Sequence, residues 1–97
     1  MNECRGRIIS ALKYTSKKTG NPGMRLDYFF ETEDAFYQSD NFVGFVPQDY
    51  FTDDITLFDK AKINIMKPVN IIYSLEPQKN NPMKSRAVIL DIVPVGK

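Results

Sequence analysis

The sequence predicts an all-β domain in which five strands form a Greek-key barrel, with a short helix or irregular connector between strands 3 and 4. Three observations carry that expectation. β-Branched and aromatic residues recur in short runs divided by turn clusters. Met24 to Thr32 alternates with a period of two, as a strand with one face in a core does. Ile55, Phe58 and Ala61 fall at helical spacing and separate three strand-like runs from two more.

The first run, Gly6 to Ser16, gives way to Lys17, Lys18, Thr19, Gly20, Asn21, Pro22 and Gly23, a composition that supplies the backbone conformations of a hairpin loop. In the second run Met24, Leu26, Tyr28 and Phe30 point one way. Arg25, Asp27, Phe29 and Glu31 point the other. Glu33 and Asp34 turn the chain into a third run, Ala35 to Val46, whose polar Gln38-Ser39-Asp40-Asn41 marks a bulge or a second turn. From Pro47 to Lys62 a short helix or irregular connection fits, with Asp53 and Asp54 suited to a helix start. The fourth strand is expected over Pro68 to Leu75, followed by the loop Gln78 to Pro82. The fifth, Arg86 to Val95, sets Val88, Leu90 and Ile92 on one face and Ala87, Ile89 and Val93 on the other.

This element order is that of an OB-fold, and residues 1–97 are read as a single OB-fold domain. An SH3-like barrel shares much of the order. The long connector at residues 47–67 favours the OB reading, because SH3-like barrels join their last strands by a tight turn.

The chemistry is bounded by absences. With no histidine and one cysteine, Cys4, the chain assembles neither a Cys/His zinc site nor a histidine-activated nucleophile, so an enzyme and a cofactor are not expected. A metal held by Asp49, Asp53, Asp54 and Asp59 for phosphoryl chemistry is the weakest of the readings. The opening MNECRGR lacks a signal peptide's apolar segment, and apolar stretches such as Ala87 to Leu90 fall far short of the roughly 20 residues that cross a bilayer. The expected setting is a reducing cytoplasm, away from membranes.

Charge is partitioned along the chain. The net charge is only +1, yet residues 1–26 carry +5, residues 27–59 carry nine acids and no cation, and residues 60–97 carry +5. In a barrel of this order the loops at 17–23 and 78–84 flank a common face, so the basic segments can form one groove that tracks a phosphate backbone. Its candidate cations are Lys13, Lys17, Lys18, Arg25, Lys79, Lys84 and Arg86. Arg25 and Arg86 stand out because a cation on a strand is held in place.

Aromatic rings supply the other half of a single-strand site, since bases stack on them with little sequence preference. Ten of the twelve lie between Tyr28 and Phe58. Tyr28, Phe30 and Phe58 are read as core. Phe29, on the polar face, is a stacking platform or a dimer contact. Tyr37 and Tyr14 are weaker candidates of the same kind.

Two stretches, Thr15-Ser-Lys-Lys-Thr-Gly-Asn-Pro22 and Arg86-Ala-Val-Ile-Leu-Asp-Ile-Val-Pro94, resemble the basic loop and the C-terminal strand of the gene V type single-stranded DNA-binding proteins of filamentous phages. The resemblance covers under a fifth of the chain. It implies a small OB-fold homodimer acting in phage or mobile-element DNA replication or recombination, in the host cytoplasm, with phosphate contacts from Lys17 or Lys18. The chain departs from that family at Gly23 and Met24, where an aromatic follows the loop proline. It departs again at Pro82 and Met83, in place of a stacking aromatic, and at Ile89 and Asp91, in place of arginines.

The expected function is therefore non-sequence-specific binding of single-stranded DNA, or of RNA, by electrostatic tracking and stacking. The alternative is a protein-interaction module or DNA mimic built on the acidic aromatic segment 27–59.

Overall fold

A computed structural model describes residues 1–78 and 83–95. The chain is mostly β. Strand β1 (Asn2–Thr15) pairs antiparallel with β2 (Pro22–Phe30), and a small hairpin of β3 (Phe36–Gln38) and β4 (Val43–Phe45) follows. Next come β5 (Gln48–Thr52), helix α1 (Leu57–Lys62), β6 (Val69–Pro77) and β7 (Ser85–Pro94). The main sheet is antiparallel, in the order β5-β2-β1-β6-β7.

The period of two in the second run is realised: Met24, Leu26 and Tyr28 are buried and Phe30 is half-buried against them. Together with Ile8, Tyr50, Leu57, Ala61, Val69, Ile71, Ile89 and Ile92 they make one core. Helix α1 closes it from the side by laying Leu57 and Ala61, one turn apart, onto the sheet. Before the helix, Asp54 accepts bonds from the backbone N–H of Thr56 at 3.0 Å and from its hydroxyl at 2.6 Å, so the acid shapes the approach and the helix begins three residues later. At the far end the buried Asn64 amide donates to the carbonyl of Lys60 at 2.8 Å, satisfying an orphan group of the last turn.

β1 is shared between two partners. Asn2 to Gly6 pairs with β6, and Gly6 to Thr15 pairs with β2. At the shared residue the strands approach so closely that a Cβ on Gly6 would collide with the carbonyl oxygen of Phe29 and stand 2.9 Å from Cδ1 of Ile71. A bulge at Ile9 then bends β1 further, since Ile8 faces Tyr28 while Ser10 faces Asp27. The sheet coils until its two edges face each other: Arg86 of β7 places its guanidinium carbon 6.0 Å from the ring centroid of Tyr50 in β5. Among the described residues no ladder joins those edges.

Two expectations are corrected. The third strand of the main sheet is β5, from within the segment read as a connector, whereas residues 36–45 form a separate hairpin. The polar Gln38 to Asn41 interruption is a turn, closed by the bond from Ser39 N–H to Phe42 carbonyl at 2.7 Å. β5 has only Tyr50 buried, so no alternation shows in its sequence. In β7 the strict alternation fails because Asp91 faces Ile72 while Ile89 faces Tyr73, which makes Leu90 a bulge residue. Ile89 and Ile92 are consequently both buried while Leu90 is exposed.

Candidate functional site

The outer face of β1, β2 and β5 is set by register, because residues directly opposite one another in an antiparallel sheet share a face. Leu12, Arg25 and Phe51 form one row. Tyr14 and Gly23 form the next row toward the β1–β2 turn, and Ser10, Asp27 and Asp49 the row on the other side. Leu12, Tyr14 and Phe51 are all exposed, at 58%, 37% and 50%. An apolar, aromatic strip of this kind on the solvent side of a sheet is not required by the core.

Arg25 stands in the middle of it. Its Nε lies 3.0 Å from Asp27, its Nη2 lies 3.9 Å from Asp49, and its guanidinium carbon is 5.4 Å from the centroid of the Phe51 ring. The two carboxylates fix the guanidinium in place and offset part of its charge, and the ring gains a cation–π contact. The Tyr14 ring lies over Gly23, which has no side chain to lift it.

Beside this face the two edges of the sheet enclose a cleft of about 430 Å³, lined by Tyr28, Tyr50, Gln48 and Phe51 on one wall and by Gln78, Ser85 and Arg86 on the other. Arg86 and Phe51 also line the adjoining depression with Tyr14, Asp53 and Asp54, so the cleft opens toward the strip. The Tyr28 hydroxyl is pushed up to about 12, by burial first and then by the Asp49 carboxylate and the neighbouring Tyr50 and Tyr73. It is a neutral donor across the physiological range.

The predicted residues divide. Arg25 and Arg86 come together with Phe51 and Tyr14. Lys17 and Lys18 are exposed in the turn that continues from Tyr14, closed by the Ser16 N–H to Asn21 carbonyl bond at 2.8 Å. Lys84 is exposed just before β7, where its carbonyl accepts from Gln78 N–H at 2.9 Å. Lys79 and Pro82 lie outside the described residues.

Lys13 does not join the strip. It alternates to the opposite side, with its Nζ 4.7 Å from the Phe58 ring centroid. Phe29 is not a free platform either: it is half-buried and stacks on Phe45 of the hairpin, centroids 5.1 Å apart and planes 17° apart. Tyr37 is exposed on β3, tilted against Phe42 at 6.1 Å. Asp49, Asp53, Asp54 and Asp59 do not gather. Among the described residues no three of His, Cys, Asp or Glu come together as a metal site would need.

Sequence reasoning missed Phe51 and Leu12. Phe51 escapes because Tyr50 is the one buried residue of β5, and a single apolar anchor does not tell which neighbours face solvent. Leu12 follows the Ile9 bulge, and that shift hides its direction from a simple period of two.

Compared with protein-family models, with curated proteins and with solved structures, the chain matches none. Among the described residues no helix is long and apolar enough to cross a membrane.

Proposed function

We propose that the protein binds single-stranded DNA, or RNA, without sequence preference, on the outer face of β1, β2 and β5. The observation that carries the reading is the row Leu12–Arg25–Phe51 with Tyr14 beside it: exposed apolar and aromatic groups around a positioned guanidinium, with Lys17 and Lys18 at one end. Rings take the bases and cations take the phosphates, a combination that binds single strands with no chemistry and no cofactor. An OB-type barrel is the fold reading supported by the order β5-β2-β1-β6-β7, the helix before β6 and the coiling that brings Arg86 over Tyr50. With the gene V type resemblance, this favours a role in replication or recombination of phage or mobile-element DNA in a host cytoplasm. Leu90 and Val93, exposed on the edge strand β7, support a homodimer, which sedimentation at micromolar concentration tests.

The direct test is competition. A labelled oligo-dT should be displaced by unlabelled single strand and not by duplex of equal length. Equal displacement by both would end the reading.

A second reading has its own observation. Phe36, Tyr37, Phe42 and Val43 are exposed on the β3–β4 hairpin, inside the segment with nine acids and no cation, which suits a basic protein partner. Tyr37→Ala with Phe42→Ala separates the two: partner capture is lost and oligo-dT affinity is kept.

A further inference from the structure

We propose that the cleft between the edge strands β5 and β7 is a pocket for one nucleobase, turned in from a strand that lies on the Tyr14–Arg25–Phe51 face. The inference rests on the single-strand reading above and adds a site to it. The cleft is continuous with the strip. Phe51 and Arg86 line both the cleft and the depression beside Tyr14, so a base following one stacked on the strip meets the cleft mouth next.

Its walls match a base. The floor is the buried Tyr50 ring with Tyr28 beside it, covered by the Arg86 guanidinium at 6.0 Å. The surfaces open to a base are therefore the exposed Arg86 plane and the half-exposed Phe51 ring. Arginine planes and aromatic rings are the two surfaces on which splayed-out bases stack. The volume of about 430 Å³ admits a planar heterocycle, and the opening to solvent leaves its sugar and phosphate outside.

Its rim is polar. Gln48 and Gln78 each offer an amide that both donates and accepts, Ser85 adds a hydroxyl, and Asp49 adds a carboxylate that accepts only. One Gln78 donor is only loosely used, reaching the Ser85 carbonyl at 3.5 Å. Such groups satisfy the edge of any base. An aliphatic side chain from an extended peptide would leave them facing apolar surface, at the cost of their hydrogen bonds to water. The pocket therefore takes a base of any kind, which agrees with binding that does not read sequence.

The test uses the full chain, a labelled oligo-dT and an abasic oligomer of equal length. Arg86→Lys keeps the charge and removes the plane; Ser85→Trp fills the cleft from its rim. Each should weaken oligo-dT binding about ten-fold, leave abasic binding unchanged and leave the salt dependence unchanged. Arg86 is exposed, so the lysine variant should melt like the wild type, and it decides the matter if Ser85→Trp does not fold. Full oligo-dT affinity in Arg86→Lys, the result expected of a peptide groove, overturns the pocket. So does an equal loss on dT and abasic oligomers, which is the signature of charge alone. Failure of the wild type to bind oligo-dT at low salt is a different result, and it removes the single-strand reading itself.

Discussion

The phenol ring of Tyr14 lies across its cross-strand partner Gly23 so closely that a Cβ at Gly23 would stand 3.0 Å from Cε1 and Cζ and 3.1 Å from the hydroxyl oxygen. Glycine weakens a strand, yet here it opens a slot that a neighbouring ring fills, and the ring is held against the sheet at the mouth of the β1–β2 turn. Gly23→Ala should therefore act on binding more than on folding. The ring is the movable partner, so the melting temperature should stay within a few degrees of wild type, while oligo-dT affinity drops by about five-fold or more as Tyr14 is displaced. Thermal melts and anisotropy on the same preparation check it. A large loss of stability with intact affinity would show that Tyr14 serves the fold alone.

Phe51 is the ring most exposed on that face. Phe51→Ala should cost roughly 1–3 kcal/mol of binding, the range for one stacked base, and change stability by less than about 1 kcal/mol because half of the side chain is already in water. Phe51→Tyr should restore most of the affinity. If alanine binds as tightly as phenylalanine, the strip is not the stacking surface.

Asp27 competes with phosphate for Arg25 through its 3.0 Å ion pair. The pair is partly exposed, so Asp27→Asn should alter stability by no more than about 1 kcal/mol. Binding at low salt should tighten by about two- to five-fold, with a steeper salt dependence, because a cation is released to the ligand. Weaker binding would mean that Asp27 matters chiefly by orienting the guanidinium.

Gly6→Ala is expected to be the most disruptive of the glycine substitutions. The added methyl meets the backbone carbonyl of Phe29 as well as Ile71, and backbone inside a paired ladder cannot swing aside as the Tyr14 ring can. A loss of about 1–3 kcal/mol or more is expected, or about 4–8 °C of melting temperature per kcal/mol for a domain of this size. A melt like that of the wild type would contradict the close approach at the point where β1 changes partners.

Asp91 sets an acid limit. Its carboxylate accepts hydrogen bonds from Lys60 Nζ at 2.5 Å and from the Ile92 N–H at 2.8 Å, which hold its pKa below the ordinary value. A depressed carboxyl contributes stability that is present above the unfolded-state value, about 3.9, and is lost as pH falls through the lower folded-state value. Asp91→Asn should lower stability slightly across the neutral range, where the charged pair acts, and converge with the wild type in strong acid. Melts between neutral pH and strong acid check it, and identical acid profiles for the two proteins would exclude a role for this pair.

The legibility of the fold followed the regularity of each element. β2 reads directly because Met24, Leu26 and Tyr28 alternate without a break, and the hairpin turn after β1 reads because Lys17 to Gly23 has turn chemistry throughout. β7 misleads because one bulge at Leu90 inverts the alternation beyond it, and β5 is hidden because five residues with one buried side chain carry no period. The site suffered from the same cause. Phe29 looks exposed from its own strand, but its cover, Phe45, comes from a hairpin whose docking no local pattern announces. Arg25 and Arg86 were legible as strand-borne cations, while their convergence on Phe51 and Tyr50 depends on the coiling of the whole sheet.

The central claim, binding of a single strand by phosphate tracking plus stacking, is tested most directly by titrating a labelled oligo-dT across a range of salt concentrations with the wild type and with Lys17→Glu/Lys18→Glu. The logarithm of the affinity should fall linearly with the logarithm of salt, by about 0.7 for each phosphate neutralised, and the double variant should bind more weakly with a shallower slope. A wild-type affinity that does not change with salt, or no binding even at the lowest salt, would contradict the claim.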